Sequence, residues 1–325
     1  MECEDVSRVA VIAAGTMGAG IAQCFAQGGF EVSLCDVEAP QLSAALDRID
    51  SSLLRLVDHG LLTSEDAQAT RARISTSTDL ARAVSAAQCA IETVPEVLNL
   101  KRQVFRRLEE HMSADAILAT NTSGLSISRI ADGCKHPERI IGTQWWNPAE
   151  LVPLVELIKG EHTSDATISV MHRIVQRLGK VPVIVKRDVP GFAGNRLQFA
   201  LLREALNLVE AGIMSAEDVD RTVKFGVGLR YPCLGPFATA DLGGLDVFLE
   251  ISQYLFADLS SMTQPPGFFE DLVRQGRLGL KTGHGFFAYE GRERDDIVRA
   301  RDECLLRQIS LANDTEPLAW VPDEE

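Results

Sequence analysis

Val9-Ala10-Val11-Ile12-Ala13-Ala14-Gly15-Thr16-Met17-Gly18-Ala19-Gly20 decides how the first half of this chain is read. Four apolar, mostly β-branched residues lead into a run of small ones, and Ile21 to Gln27 continues at helical spacing. In a strand–turn–helix of this kind the glycines permit a tight bend and let the backbone approach a pyrophosphate. The helix N-terminus then offers its free N–H groups to the phosphates. A lone glycine motif is weak, and here the first glycine position is Ala13, so a plain strand-to-helix turn is the competing reading. Context favours the dinucleotide. Asp36 closes a second strand about 20 residues after the turn, where its carboxylate would accept hydrogen bonds from the adenine ribose hydroxyls. An acid there repels a ribose phosphate, which selects NAD over NADP. Gly15, Thr16, Met17, Gly18 and Asp36 are the expected cofactor contacts, and Ala13 at a negative φ would leave the turn competent.

Outward from this stretch, short β-rich runs alternate with helical ones: Val9–Ile12, Glu31–Cys35, Cys89–Ile91, Ala116–Ala119, Ile140–Ile141, Leu154–Ile158 and Val181–Val185. That is the rhythm of a parallel sheet covered by helices. Residues 40–85 carry no strand signal and read as an inserted helical hairpin turning at Gly60, with Thr63 and Asp66 as a capping pair. Strand signals stop at Lys186-Arg187-Asp188-Val189-Pro190-Gly191. Beyond it Phe199, Leu202, Leu206, Val209 and Ile213 recur at helical spacing, a stripe that is a core or dimer face. The expected architecture is an α/β Rossmann-type N-terminal domain with an inserted helical hairpin (1–187), followed by an all-α C-terminal domain (188–325). The tail from Trp320 to Glu325 is expected to be loose.

The chain has 325 residues, 46% hydrophobic and 24% charged, enough for two cores. Its formal charge of −14 (32 basic minus 46 acidic residues) comes with no basic stripe, which argues against nucleic acid and anionic membranes as partners. Seven scattered cysteines without a C-x-x-C pair fit reduced thiols in a cytoplasmic protein and no metal site. The acidic start lacks a signal or transit pattern, and no apolar run reaches the ~20 residues of a membrane span.

Seven further segments carry a resemblance: Gly15–Ala22, Glu92-Thr93-Val94-Pro95-Glu96, Asn121-Thr122-Ser123, Asn147-Pro148, Pro153-Leu154-Val155-Glu156, Pro190-Gly191-Phe192 with Asn195-Arg196-Leu197, and Lys281–Phe286. In order and spacing the chain resembles the 3-hydroxyacyl-CoA dehydrogenases and their relatives, which include L-gulonate 3-dehydrogenase (lambda-crystallin) and bacterial dehydrogenases of carnitine and vitamin B6 breakdown. The resemblance implies an NAD-dependent oxidation of a hydroxyl and a homodimer formed through the helical domain. It also implies roles. Ser123 matches a serine that contacts the substrate hydroxyl, Glu156 a glutamate that holds a catalytic histidine, and Asn195 a substrate-side asparagine. Pro95, Glu96, Lys101, Asn121 and Asn147 match the cofactor side. Taken singly, Ser123 reads equally as a helix cap, Glu156 as a surface carboxylate and Asn195 as a turn residue.

The family histidine is absent. Gly142-Thr143-Gln144-Trp145-Trp146 puts Gln144 in its place, and an amide accepts no proton near neutral pH. Loss of a general base typically costs about 10² to 10⁴ in rate. Glu156, desolvated beside Trp145 and Trp146, is the natural replacement, with Gln144 or a water as relay. The alternatives are a substrate acidic enough to need no strong base, a silenced NAD-binding or crystallin-like structural protein, and a deliberately disabled sequence. The remaining histidines read as surface or structural. The hairpin lacks the lysines that CoA-binding relatives use, and Arg48 and Arg55 read as ordinary solvated helix charges. This favours a small hydroxy acid or alcohol over a CoA ester. Arg230, in a segment resembling the gulonate branch, could pair with a substrate carboxylate.

Overall fold

The computed structural model describes residues 3–291 and 293–314, so the tail from Trp320 to Glu325 lies outside the described residues. The chain forms two compact units, Met1–Arg196 and Leu197–Glu325. The first unit extends beyond the change of composition at Arg187. Asp188 Oδ2 accepts hydrogen bonds from Ser126 and Ser128, Phe192 is buried in the first unit's core, and the Ala193 and Gly194 amides bond Glu156.

The first unit is an eight-stranded sheet in the order β3-β2-β1-β4-β5-β6-β7-β8. Its strands are β1 (Arg8–Ile12), β2 (Glu31–Cys35), β3 (Ile74–Ser77), β4 (Cys89–Glu92), β5 (Ile117–Thr120), β6 (Ile140–Trp145), β7 (Leu154–Ile158) and β8 (Val181–Val185). Helices α1 (Thr16–Gln27), α2 (Ala39–Asp58), α3 (Ser64–Ala72), α4 (Leu80–Val84), α5 (Leu98–His111), α6 (Ile127–Ala131) and α7 (Asp165–Arg177) complete it. Strand residues alternate between two cores: Val9 and Val11 pack with Phe25, Phe30 and Leu34, while Ala10 and Ile12 pack with Phe105, Leu108 and Ile127. Both faces of the central strands are therefore dry, which is why these strands read as near-continuous apolar runs, whereas the edge strand β8 keeps Val181, Val183 and Ile184 exposed. Each fully buried phenylalanine contributes about 1.5–3 kcal/mol.

The hairpin is formed by α2 and α3, and Thr63 caps α3 through its bond to the Asp66 amide. Its return leg ends in β3, a strand that sequence reading passed over. Ile-Ser-Thr-Ser carries one apolar residue, and an edge strand with one buried side chain leaves no alternating pattern to detect. A second departure is the pairing of β6 with β7, which is antiparallel; the other pairings of this sheet are parallel. Only residues 146–153 separate the two strands, and a parallel return needs a crossover of a dozen or more residues.

The second unit continues α8 (Gly194–Glu210), whose first turn belongs to the first unit, and adds α9 (Ala216–Thr222), a π-turn at Val223–Val227, α10 (Gly228–Arg230), α11 (Pro236–Gly243), α12 (Leu245–Asp258), α13 (Gly267–Arg274) and α14 (Arg294–Asp314). No strand interrupts it among the described residues beyond isolated bridges at Gly279, His284 and Ala288. Of the predicted stripe, Leu206 is buried whereas Phe199 and Ile213 are exposed.

Candidate active site

The strand order reverses between β1 and β4, and in open α/β sheets the ligand crevice lies at the C-terminal ends of the strands flanking that point. After β1 the chain turns through Ala13, Ala14 and Gly15. A Cβ on Gly18 would lie 1.9 Å from Ala13 O, so close helix–strand packing requires glycine there. A Cβ on Gly15 would meet nothing within 4 Å, and no side chain caps α1. The open space and the free N–H groups of Thr16, Met17 and Gly18 form the anion cradle a pyrophosphate needs. Asp36 follows β2; its Oδ2 accepts from the Ala14 amide (2.7 Å) and its Oδ1 from Glu38 N (3.1 Å).

Two expectations are corrected here. Ala13 adopts φ +81° rather than a negative value, because the turn demands left-handed backbone whatever the residue. That conformation costs an L-residue roughly 1–2 kcal/mol. Ala13→Gly is therefore expected to raise unfolding stability by roughly 0.5–1 kcal/mol, after allowing for the freer unfolded chain; an unchanged melting temperature would count against the strain. Arg48 is not an ordinary solvated charge: its guanidinium donates to Ala14 O at 2.7 Å and closes the turn from α2.

After β4 and β5, a buried network fixes the next loop. Lys101 was expected beside the cofactor but is fully buried. Its Nζ lies 2.8 and 3.1 Å from the Glu92 oxygens, donates to Val94 O and Asn121 O, and sits 3.6 Å from Glu96 Oε2. Burial pushes the Glu92 carboxyl up, against the opposing pull of Lys101, Thr120 and the Val94 amide. Glu96 Oε1 accepts from Thr122 Oγ1 (2.5 Å), Ser123 N (3.0 Å) and Gly124 N (3.3 Å). Asn121 Oδ1 accepts from Trp145 N at 3.1 Å. Thus Glu96 and Asn121 hold the loop that presents Ser123, with Lys101 behind them. Pro95 and Asn147 are exposed.

The antiparallel register sets Gln144 directly opposite Glu156. Both are buried, at 4% and 1% exposure. Gly191 and Phe192 both take positive φ (+76° and +52°), and this bend aims two successive amides, of Ala193 and Gly194, at Glu156 Oε1, each at 2.9 Å. Glu156 Oε2 and Gln144 Oε1 have no hydrogen-bond partner among the described residues. A Cβ on Gly194 would lie 2.3 Å from Trp146 Cζ2 and 3.0 Å from Glu156 Oε2, so only glycine admits the tryptophan beside the carboxylate. Asn195 Nδ2 donates to Ser123 O at 2.7 Å. Ser123, Glu156, Gln144 and Asn195 are thereby tied into one neighbourhood by three loops and two strands.

None of the six histidines lies in the β6–β7 pair. Burial pushes the thiols of Cys24 and Cys89 up to about 11 and about 12, which keeps them inert as nucleophiles. Among the described residues no cluster of histidine, cysteine or carboxylate side chains could hold a metal, and no helix is long and apolar enough to cross a membrane. Arg230 belongs to the second unit, exposed at the end of α10. Sequence reading missed Glu92, Arg48 and the Phe192–Gly194 bend. A glutamate ending the apolar strand Cys-Ala-Ile-Glu was a usable signal for the first; the other two depend on contacts far apart in the chain.

Fold and site together define an NAD-binding dehydrogenase of the doubly wound class. The comparisons agree: the NAD-binding domain model of 3-hydroxyacyl-CoA dehydrogenase matches residues 8–189 and the C-terminal domain model residues 191–289. The chain belongs to the 3-hydroxyacyl-CoA dehydrogenase family, and NAD is its cofactor. It is 36% identical over 309 residues to 5-formyl-3-hydroxy-2-methylpyridine 4-carboxylate 5-dehydrogenase of Mesorhizobium japonicum, covering 94% of this chain and 98% of that protein. It is also 36% identical over 284 residues to 3-hydroxybutyryl-CoA dehydrogenase of Clostridioides difficile, covering 87% and 99%. A crystal structure of the 5-formyl-3-hydroxy-2-methylpyridine 4-carboxylic acid 5-dehydrogenase, described as an NAD+-dependent dismutase, superposes with a TM-score of 0.88 at 32% identity and covers 96% and 100%.

Proposed function

We propose that this chain oxidises a small hydroxy acid or alcohol with NAD+, and not a CoA thioester, using Glu156 as the base in place of the family histidine. The observation that carries the reading is the convergence of Ser123, Asn195 and the opposed pair Gln144 and Glu156. Bound NAD+ supplies the hydride acceptor. Ser123 meets the substrate oxygen, with the Asn195 amide bonded to the carbonyl of Ser123, and Glu156 takes the proton. Two backbone amides on Oε1 leave Oε2 for that proton. The small-substrate preference is supported by the hairpin, which holds no lysine, and by a relative whose name specifies a pyridine carboxylate. Arg230 is the proposed partner of a substrate carboxylate. Exposed apolar side chains on α12, among them Leu245, Leu249 and Phe256, support assembly as a homodimer.

The test is NADH formation from matched panels of 3-hydroxyacyl-CoA esters, small hydroxy acids and hydroxymethyl-heteroaromatic acids, with Gln144→His in parallel. Turnover on the small acids is expected. Turnover confined to CoA esters overturns the substrate class, and activity restricted to Gln144→His would make the parent a silenced dehydrogenase.

A further inference from the structure

We propose that Lys180 is a positioning residue of the active site: its ammonium fills a cage of three loop carbonyls and so holds the β6–β7 hairpin against the cofactor helix α1. This rests on the reading of Gln144 and Glu156 as the working pair of a dehydrogenase.

The cage begins with the way α7 ends. Gly179 takes φ +69°, its amide donates to Gln176 O (2.9 Å), and the Lys180 amide donates to Val175 O (3.2 Å), the two bonds of a Schellman turn. Pinned by this turn, Lys180 stands half-buried just ahead of β8. Its Nζ donates to Ala149 O (2.7 Å), Glu150 O (3.3 Å) and Val152 O (3.0 Å), and the next amide, of Val181, donates to Pro153 O (2.9 Å). A lysine ammonium has three donors, and all of them go to one loop. That loop, 146–153, joins the strand of Gln144 to the strand of Glu156. A tight turn fixes the register of a hairpin, but a link of this length has many conformations and has to be held from outside.

The opposite side of the same loop meets α1. Cys24 Sγ donates to Ala149 O at 3.4 Å, and a Cβ on Gly20 would lie 3.2 Å from Ala149 Cβ and 2.6 Å from Glu150 Oε2. The loop is therefore gripped between the Lys180 ammonium and the helix whose N-terminus cradles the pyrophosphate. Hydride transfer needs the nicotinamide and the proton acceptor at a fixed separation. Helix α1 governs the first and the β6–β7 pair carries the second, so Lys180 acts on the piece of chain that joins them. A lysine serving α7 alone would have no reason to place every donor on carbonyls of another element.

The cage also defines the test. Once the side chain is cut back, three carbonyl oxygens converging on a half-buried point are a site for ammonium ion, which supplies the same N–H donors. The full chain, Lys180→Ala and Lys180→Met are compared in ammonium chloride and in tetramethylammonium chloride at equal ionic strength; the larger ion has no N–H. NADH formation on the best substrate gives kcat and KM, and fluorescence titration gives NAD affinity. Trp146 emission, isolated by Trp145→Phe and Trp320→Phe, reports the loop without turnover. A displacement of about 1 Å at such a join costs about 10²-fold in rate, so Lys180→Ala is expected to lose about that factor in kcat at parent-like NAD affinity and to regain about tenfold or more in ammonium. Lys180→Met, whose side chain still blocks the cage, should show the loss without the rescue. Parent-like kcat in either variant, rescue of both variants alike, or a loss in Lys180→Ala that ammonium does not reverse overturns the proposal. Should Lys180→Ala fail to fold, Lys180→Met decides by its kcat and emission, parent-like values overturning the clamp. If the parent turns nothing over, the dehydrogenase reading fails separately; an emission shift in Lys180→Ala that ammonium reverses still supports the clamp, and an unshifted emission overturns it.

Discussion

Glu156→Gln should lower kcat by about 10² to 10⁴ while leaving the fold and NAD affinity near those of the parent, the range by which loss of a positioned general base slows a reaction. The substitution keeps shape and volume. Its carbonyl oxygen can still accept from the Ala193 and Gly194 amides, which fix Oε1 at 2.9 Å, so the bend at Gly191 and Phe192 has no reason to move. What disappears is a group able to take a proton inside the buried β6–β7 pair. Gln144 cannot compensate, because an amide does not titrate in the neutral range. Steady-state kinetics on the best substrate, with thermal unfolding and NAD titration as controls, decide the matter. Parent-like turnover in Glu156→Gln would remove Glu156 from the chemistry.

Lys101→Met should cost about 3–5 kcal/mol of stability, the penalty for leaving one charge of a buried pair alone. Both partners are fully buried, so solvent cannot take over. The loss has a pH signature. Burial already raises the Glu92 carboxyl above its ordinary value of 4.5, and removing Lys101 removes the first of the influences that lower it. A carboxyl raised in the folded state binds its proton more tightly there than in the unfolded chain. Stability is therefore greatest below the unfolded value and falls as pH rises through the interval between the two values, by about 1.4 kcal/mol per pH unit. The deficit of Lys101→Met relative to the parent should shrink on acidification, and adding Glu92→Gln should restore most of it. A pH-independent deficit would mean that lost packing, and not the stranded carboxylate, causes the effect. Because Lys101 also grips Asn121 O behind the Ser123 loop, the variant should show raised KM values as well.

Much of the first unit was legible because its central strands are buried on both faces and, like the apolar edge strand β8, stand out as apolar runs between helical periods. Seven of the eight strands left that trace; β3 did not, since an edge strand of Ile-Ser-Thr-Ser needs one buried residue. Ser123, Glu156 and Asn195 are singled out by their motifs, but the hydrogen bonds that gather them, from Asn195 to the Ser123 carbonyl and from the Ala193 and Gly194 amides to Glu156, leave no trace in the sequence. The antiparallel register that faces Gln144 with Glu156 follows from the short 146–153 link, a length visible in the sequence only once the two strand ends are known. Lys101 shows the reverse case. Its motif position placed it beside the cofactor, whereas folding turns its long side chain inward to meet Glu92, a contact set by the spacing of β4 and α5 that no local pattern records.

The way Gln144 is held has a consequence for how such enzymes diversify. Its place is set by backbone pairing within a strand, while its side-chain carbonyl oxygen has no hydrogen-bond partner among the described residues. Exchanging this side chain therefore strains little of the scaffold, in contrast to Gly18 or Gly194, where one added carbon collides with its surroundings. Position 144 is thus a locus at which a lineage can try a new reaction at small structural risk, with Glu156 waiting across the strand to cooperate with whatever arrives.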